Sequence, residues 1–107
     1  MSDNEDKQLT FEATLAKGTV FVQFWTYWPG VKVPESLMGS EVEILKFSKR
    51  FLHPPVVSDK GVSGILSFKG KNRHVTVPWE AVTAIQSGDR RKTWANVEPK
   101  MAPMAFA

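Results

Sequence analysis

Apolar positions recur most persistently from Thr19 to Trp28, TVFVQFWTYW, where Val20, Val22 and Phe24 fall on one side and Phe21, Trp25 and Tyr27 on the other. β-Branched and aromatic side chains suit a pleated surface, so this stretch predicts a strand with apolar bulk on both faces. One face is expected to fill a core, and the other to lie under an N-terminal helix or a partner. That helix is signalled by Ser2-Asp3-Asn4-Glu5, which fits a capping box with acidic residues in the first turn. Leu9, Ala13 and Ala16 then recur at helical spacing, with Phe11 and Leu15 beside them, and Lys17-Gly18 is a stop signal. The pattern predicts a helix over about residues 5–16.

Downstream, Pro29-Gly30 suits the centre of a type II turn, and Val31 to Pro34 continues extended. Glu35 to Ser40 reads as a turn or one helical loop, and Glu41 to Phe47 as the second strand, with Val42 and Ile44 on one side and Leu45 and Phe47 on the other. Ser48 to Pro55 ends in two prolines and predicts an irregular, extended bridge. Val62 to Phe68 is the third strand, with Val62, Leu66 and Phe68 sharing a side, and Lys69-Gly70-Lys71-Asn72 is its hairpin turn. Val75 and Val77 share one face of a fourth strand that stops at Pro78, after which Trp79 to Val82 reads as a helical turn. Val82 to Gln86 predicts a fifth strand, Gly88 to Arg91 a turn, and Thr93 to Val97 a last strand carrying Trp94. Together these predict a mainly β fold with a leading α-helix: a small, strongly bent barrel of five or six strands. A single domain is expected over residues 1–97, its barrel over about 19–97, with residues 98–107 a short mobile tail.

Composition narrows what such a domain does. The 107 residues include no cysteine, so disulfides and cysteine metal sites are excluded and a reducing cytoplasm fits. No apolar run approaches a membrane span, and MSDNEDK is the opposite of a secretory signal. His53 and His74 fall on separate elements without carboxylates at ligand spacing, and no serine–histidine–aspartate set or phosphate-cradling glycine loop stands out. The chain therefore reads as a binding module, not an enzyme, with no cofactor. Its net charge of +3 is uneven: residues 1–12 are acidic, whereas Lys69, Lys71, Arg73, Arg90, Arg91 and Lys92 outnumber Glu80 and Asp89 over residues 69–92. Such a region attracts an acidic peptide or a nucleic acid, or serves only as a solvated basic edge.

Pro29-Gly30-Val31-Lys32-Val33-Pro34, a PGVxVP segment, precedes a strand pair and then RxVxVPxxAVxAI, formed by Arg73, Val75, Val77, Pro78, Ala81, Val82, Ala84 and Ile85. This arrangement resembles the stringent starvation protein B family, bacterial adaptors that tether tagged substrates to the ClpXP protease. The likeness runs from about Thr19 to Val97. It implies an Sm-like barrel and a groove that grips an ssrA-like degradation tag, here mapped onto Lys46, Phe47, Ser48, Phe51, Leu66, Phe68 and Lys69, between the 41–51 segment and the 61–70 strand. A partly open strand edge, to which an extended peptide adds hydrogen bonds, is the physical counterpart of that expectation. The resemblance also implies a homodimer through the helix, with Leu9, Ala13, Ala16, Phe21 and Trp25 at the contact and Tyr27 on the same strand face. Docking on the ClpX unfoldase is expected of Met101, Met104 and Phe106.

The competing expectation is an Sm-like or cold-shock-like barrel that binds nucleic acid. Such a barrel needs exposed aromatics clustered with lysine and arginine on adjacent strands. In sequence most aromatics sit in apolar runs, with Phe47, Phe51 and Phe68 close to lysines, which favours the adaptor.

Overall fold

The first turn of the chain fixes its own start. In the computed structural model, which describes residues 2–94, a helix α1 spans Asp3–Leu15. Ser2 is its N-cap: the Ser2 hydroxyl accepts from the Glu5 amide at 3.2 Å and donates to the Glu5 carboxylate at 3.2 Å. Gly18, at φ 134°, turns the chain away, and Lys49 Nζ donates to the Ala16 carbonyl at 2.7 Å, a cation where the helix leaves unpaired carbonyls. Phe11 and Lys7 are the buried residues of the helix, and Leu15 packs against the same core. Leu9, Ala13 and Ala16 face solvent. The buried stripe is thus 7, 11 and 15, and a lysine at one of its three positions conceals it from a reading based on hydrophobicity. Lysine occupies that place because its stem packs while Nζ donates to the Trp79 carbonyl at 2.8 Å.

Seven strands follow: β1 (Thr19–Trp25), β2 (Val42–Ser48), β3 (Val56–Val57), β4 (Gly61–Phe68), β5 (Lys71–Pro78), β6 (Val82–Ser87) and β7 (Arg90–Thr93). Their ladders form two antiparallel sheets, sheet A in the order β2-β1-β6-β7 and sheet B in the order β3-β4-β5. The fold is therefore mainly β with one N-terminal helix, and the described ladders do not close into a barrel. Among the described residues the expected five or six strands become seven because a two-residue strand, β3, is added after the prolines, and β7 begins at Arg90, inside the expected turn, not at Thr93. Short 3-10 turns occupy Glu35–Leu37 and Trp79–Ala81, the latter where a helical turn was expected.

Alternation decides what is buried. Val20, Val22, Phe24, Leu45, Phe47, Val82 and Ile85 of sheet A join Val62, Leu66, Val75 and Val77 of sheet B in one core cluster, closed by Phe11 and Trp79. Phe11 meets Phe47 edge-on and Trp79 at a tilt, both at 5.6 Å between ring centroids. Fully burying one large apolar side chain stabilises by about 1.5–3 kcal/mol, so this cluster is the main source of stability. Trp79 also ties elements together: its indole N–H donates to the Ser58 carbonyl at 2.8 Å and its amide to the Lys60 carbonyl at 3.1 Å.

Two turns follow their sequence. The Val31 amide reaches the Trp28 carbonyl at 3.1 Å across Pro29-Gly30, with Gly30 at φ 93°, a type II turn. Lys69 (φ 52°) and Gly70 (φ 81°) form a two-residue loop between Phe68 and Lys71, as a type I′ hairpin requires. Lys32 then exchanges backbone hydrogen bonds of 2.9 and 2.8 Å with Thr76, bringing the 29–34 segment onto β5.

Candidate functional site

Pro54 and Pro55 have no amide hydrogen to give, so the chain reaches the side of β4 without pairing until Val56. β3 then pairs only at Val56↔Ser63 and Val57↔Val62. From Ile65 to Phe68, that edge of β4 has no strand partner among the described residues. The segment before the prolines turns at Ser48, where the Phe51 amide donates to the Ser48 carbonyl at 3.2 Å and the Arg50 amide to the Ser48 hydroxyl at 3.1 Å. A groove of about 240 Å³ results, lined by Phe51, Leu52, His53, Ile65, Leu66, Ser67 and Asn72. Leu52 is 90% exposed and Ile65 37%, and no carboxylate lines the groove. An unpaired strand edge beside exposed apolar side chains suits an extended peptide, which adds backbone hydrogen bonds and fills side-chain pockets.

A second groove, of about 480 Å³, opens where β4 ends. Phe68, Lys69, Lys71 and Arg73 line it together with Pro34, Glu35 and Ser36. Three cations face one carboxylate there, so the hairpin tip attracts acidic groups.

The residues expected to grip a peptide separate into distinct places. Phe51 and Leu66 line the β4-edge groove; Phe68 and Lys69 line the hairpin groove. Phe47 is fully buried in the core, and Ser48 is buried and engaged by Arg50. Lys46 points from the opposite side of β2, because neighbouring residues of a strand face opposite ways. Leu52, Ile65, Ser67 and Asn72 were not foreseen. The available signal was Phe51-Leu52 itself, two large apolar residues in a segment with no periodicity that would bury them.

The expected dimer contact also divides. α1 packs on the core side of sheet A through Phe11, whereas Phe21 and Trp25 point from the outer side, so helix and strand face do not form one surface. The outer face is therefore not covered by the helix. Trp25 Nε1 is enclosed there with no hydrogen-bond partner among the described residues. Tyr27 is anchored separately, its hydroxyl donating to the Met38 carbonyl. Met101, Met104 and Phe106 lie outside the described residues, as do residues 95–97 of the expected last strand.

Charge fastens α1 to β7. Lys92 Nζ lies 2.8 Å from Asp6 Oδ2, and Trp94 Nε1 donates to the same oxygen at 3.0 Å. Hydrogen bonds from Lys92 and then Trp94 hold the Asp6 carboxyl below its usual range, against a smaller opposing effect of desolvation. Burial pushes the Lys7 ammonium below its usual value, while Asp3 and Glu80 act the other way. Among the described residues no three histidine, aspartate or glutamate side chains come together as a metal site, and no helix is long and apolar enough to cross a membrane.

Compared with known protein families the chain matches none, and compared with curated proteins it matches none either.

Proposed function

We propose that this chain is a proteolysis adaptor that binds an unstructured, ssrA-like degradation tag along the open edge of β4 and delivers tagged proteins to the ClpXP protease. The observation that carries this reading is the unpaired edge from Ile65 to Phe68 beside Phe51 and Leu52. A tag lying there gains backbone hydrogen bonds without unfolding anything, because β4 already holds its residues extended. Acidic side chains of the tag would meet Lys69, Lys71 and Arg73, since the hairpin groove continues from the same strand. The two segments that carry the resemblance to the stringent starvation protein B family also meet in space, through Lys32 and Thr76. They form framework and not groove, so they support a shared scaffold. An Sm-like barrel, two bent sheets around one core, belongs to the same proposal. So do docking on the ClpX unfoldase through Met101, Met104 and Phe106, a cytoplasmic setting, and a homodimer resting on the exposed Leu9, Ala13 and Ala16 stripe.

The test is titration of a labelled ssrA-like peptide against the protein, Leu52→Ala and Phe68→Ala. Leu52 is so exposed that its truncation leaves folding intact. Losing a buried apolar contact of about 1–2 kcal/mol weakens binding roughly 5- to 30-fold. Unchanged affinity in both variants removes the groove from the account, and no binding by the parent protein removes the adaptor reading.

A further inference from the structure

The strand register assembles a row that the sequence scatters. Lys46 of β2 pairs with Phe21 of β1, Phe21 with Gln86 of β6, and Gln86 with Arg91 of β7. All lie on the outer face of sheet A, so cation, aromatic ring, amide and cation stand in line across three strand spacings, about 14 Å. Phe21 is 37% exposed, and a groove of about 200 Å³ runs over it between Gln23, Ile44, Ala84, Gln86 and Arg91. Gln23 and Gln86 hold the Arg91 guanidinium in place, accepting at 3.1 and 3.4 Å. No carboxylate lines this groove. At the same end of the sheet exposed Arg50 follows β2, whereas Lys49 is taken by the Ala16 carbonyl and Arg90 points from the opposite side of β7 to Arg91.

We propose that this face binds single-stranded nucleic acid, with a base stacked on Phe21 and flanking phosphates met by Lys46 and Arg91. An exposed ring between cations on strands of one sheet is how sheet surfaces hold unpaired bases, and the amides of Gln23 and Gln86 are occupied in fixing Arg91. A duplex hides its base faces and suits the site less. A second copy of the chain fits poorly, because a two-fold contact would set cation against cation with no carboxylate to meet them. Residues 95–107 carry Glu98 against Lys100 and so offer the face no net charge. This site lies on a different sheet from the tag groove and does not depend on it.

The experiment follows the anisotropy of a labelled oligouridylate of about twelve nucleotides on addition of the full chain, between about 50 and 200 mM salt. Phe21→Leu keeps apolar bulk but loses the ring, and affinity is expected to fall about 10-fold. Lys46→Gln and Arg91→Gln, both at exposed positions, should each flatten the salt dependence by about 0.7 in log–log slope. Affinity for the tag peptide should be unchanged in all three. The proposal is overturned by no binding at about 50 mM salt, by equal affinity in all three variants, or by a dimer that Phe21→Leu dissociates while the oligonucleotide never binds.

Discussion

From Ile65 to Phe68 the side of β4 that faces away from β5 has no strand partner among the described residues, and the side chains around it carry little charge. Across the outer face of sheet A the two central strands, β1 and β6, are paired on both sides, and what that face presents is side chains, Phe21, Lys46 and Arg91 among them. The first surface would suit an extended chain that can extend a sheet; the second would suit planar rings and negative charge. The difference arises from where pairing stops. Pro54-Pro55 delays β3 until Val56, so β4 outlasts its neighbour, whereas sheet A ends in β7, whose RRKT sequence blunts the outer edge with charge. One small core thus supports two surfaces with different chemistry.

Removing what they share should abolish the contrast. Phe47 touches Phe11, and the position of Gly64 places β4 directly against its ring. Phe47→Ala is expected to cost about 3–5 kcal/mol and lower the melting temperature by more than about 12 °C. Both binding activities should then fail together on warming. A variant with normal thermal stability that loses peptide binding alone would make Phe47 a ligand contact instead of a core residue.

Acid should act on one side only. The Asp6 carboxyl has a folded value below its ordinary 3.8, so the stability it contributes is present above 3.8 and lost as pH falls through the lower folded value. The indole N–H resonance of Trp94, which donates to Asp6, should titrate with a midpoint below 3.8, and Asp6→Asn should remove that titration. Loosening this clasp frees α1 from β7, next to Arg91, and leaves the β4 edge undisturbed. A midpoint above 3.8 would mean that the clasp is not formed in solution.

The smallest expected effect is at Trp25. Its enclosed indole N–H has no acceptor among the described residues, and an unsatisfied buried donor costs about 1–3 kcal/mol. Trp25→Phe removes the donor and some apolar area, so stability should be unchanged or higher by about 1 kcal/mol in a denaturant titration. A clear loss would show that the indole makes a hydrogen bond in solution.

Much of this fold is legible in the chain. Ser2 through Glu5, Pro29-Gly30 and the Val75/Val77 alternation specify local geometry through side-chain chemistry and appear as expected, whereas the turn expected over Lys69-Gly70-Lys71-Asn72 tightens to Lys69-Gly70, with Lys71 and Asn72 already in β5. The binding surfaces were less legible, because they depend on register and on where ladders end. Lys46 and Phe47 are adjacent in sequence yet separate to opposite faces, and Phe21 and Arg91 meet only through β6. Hydrophobicity alone points the helix stripe to Leu9, Ala13 and Ala16, because Lys7 looks like a solvent residue until Trp79 supplies its carbonyl.

The central claim is that a peptide pairs with the free edge of β4. Amide hydrogen exchange with and without saturating ssrA-like peptide tests it most directly. Added protection is expected at the amides of Ile65 and Ser67, which point away from β5 toward the free edge, with those of β7 unchanged. Protection that appears on sheet A instead, or none at Ile65 and Ser67 under saturation, would contradict it.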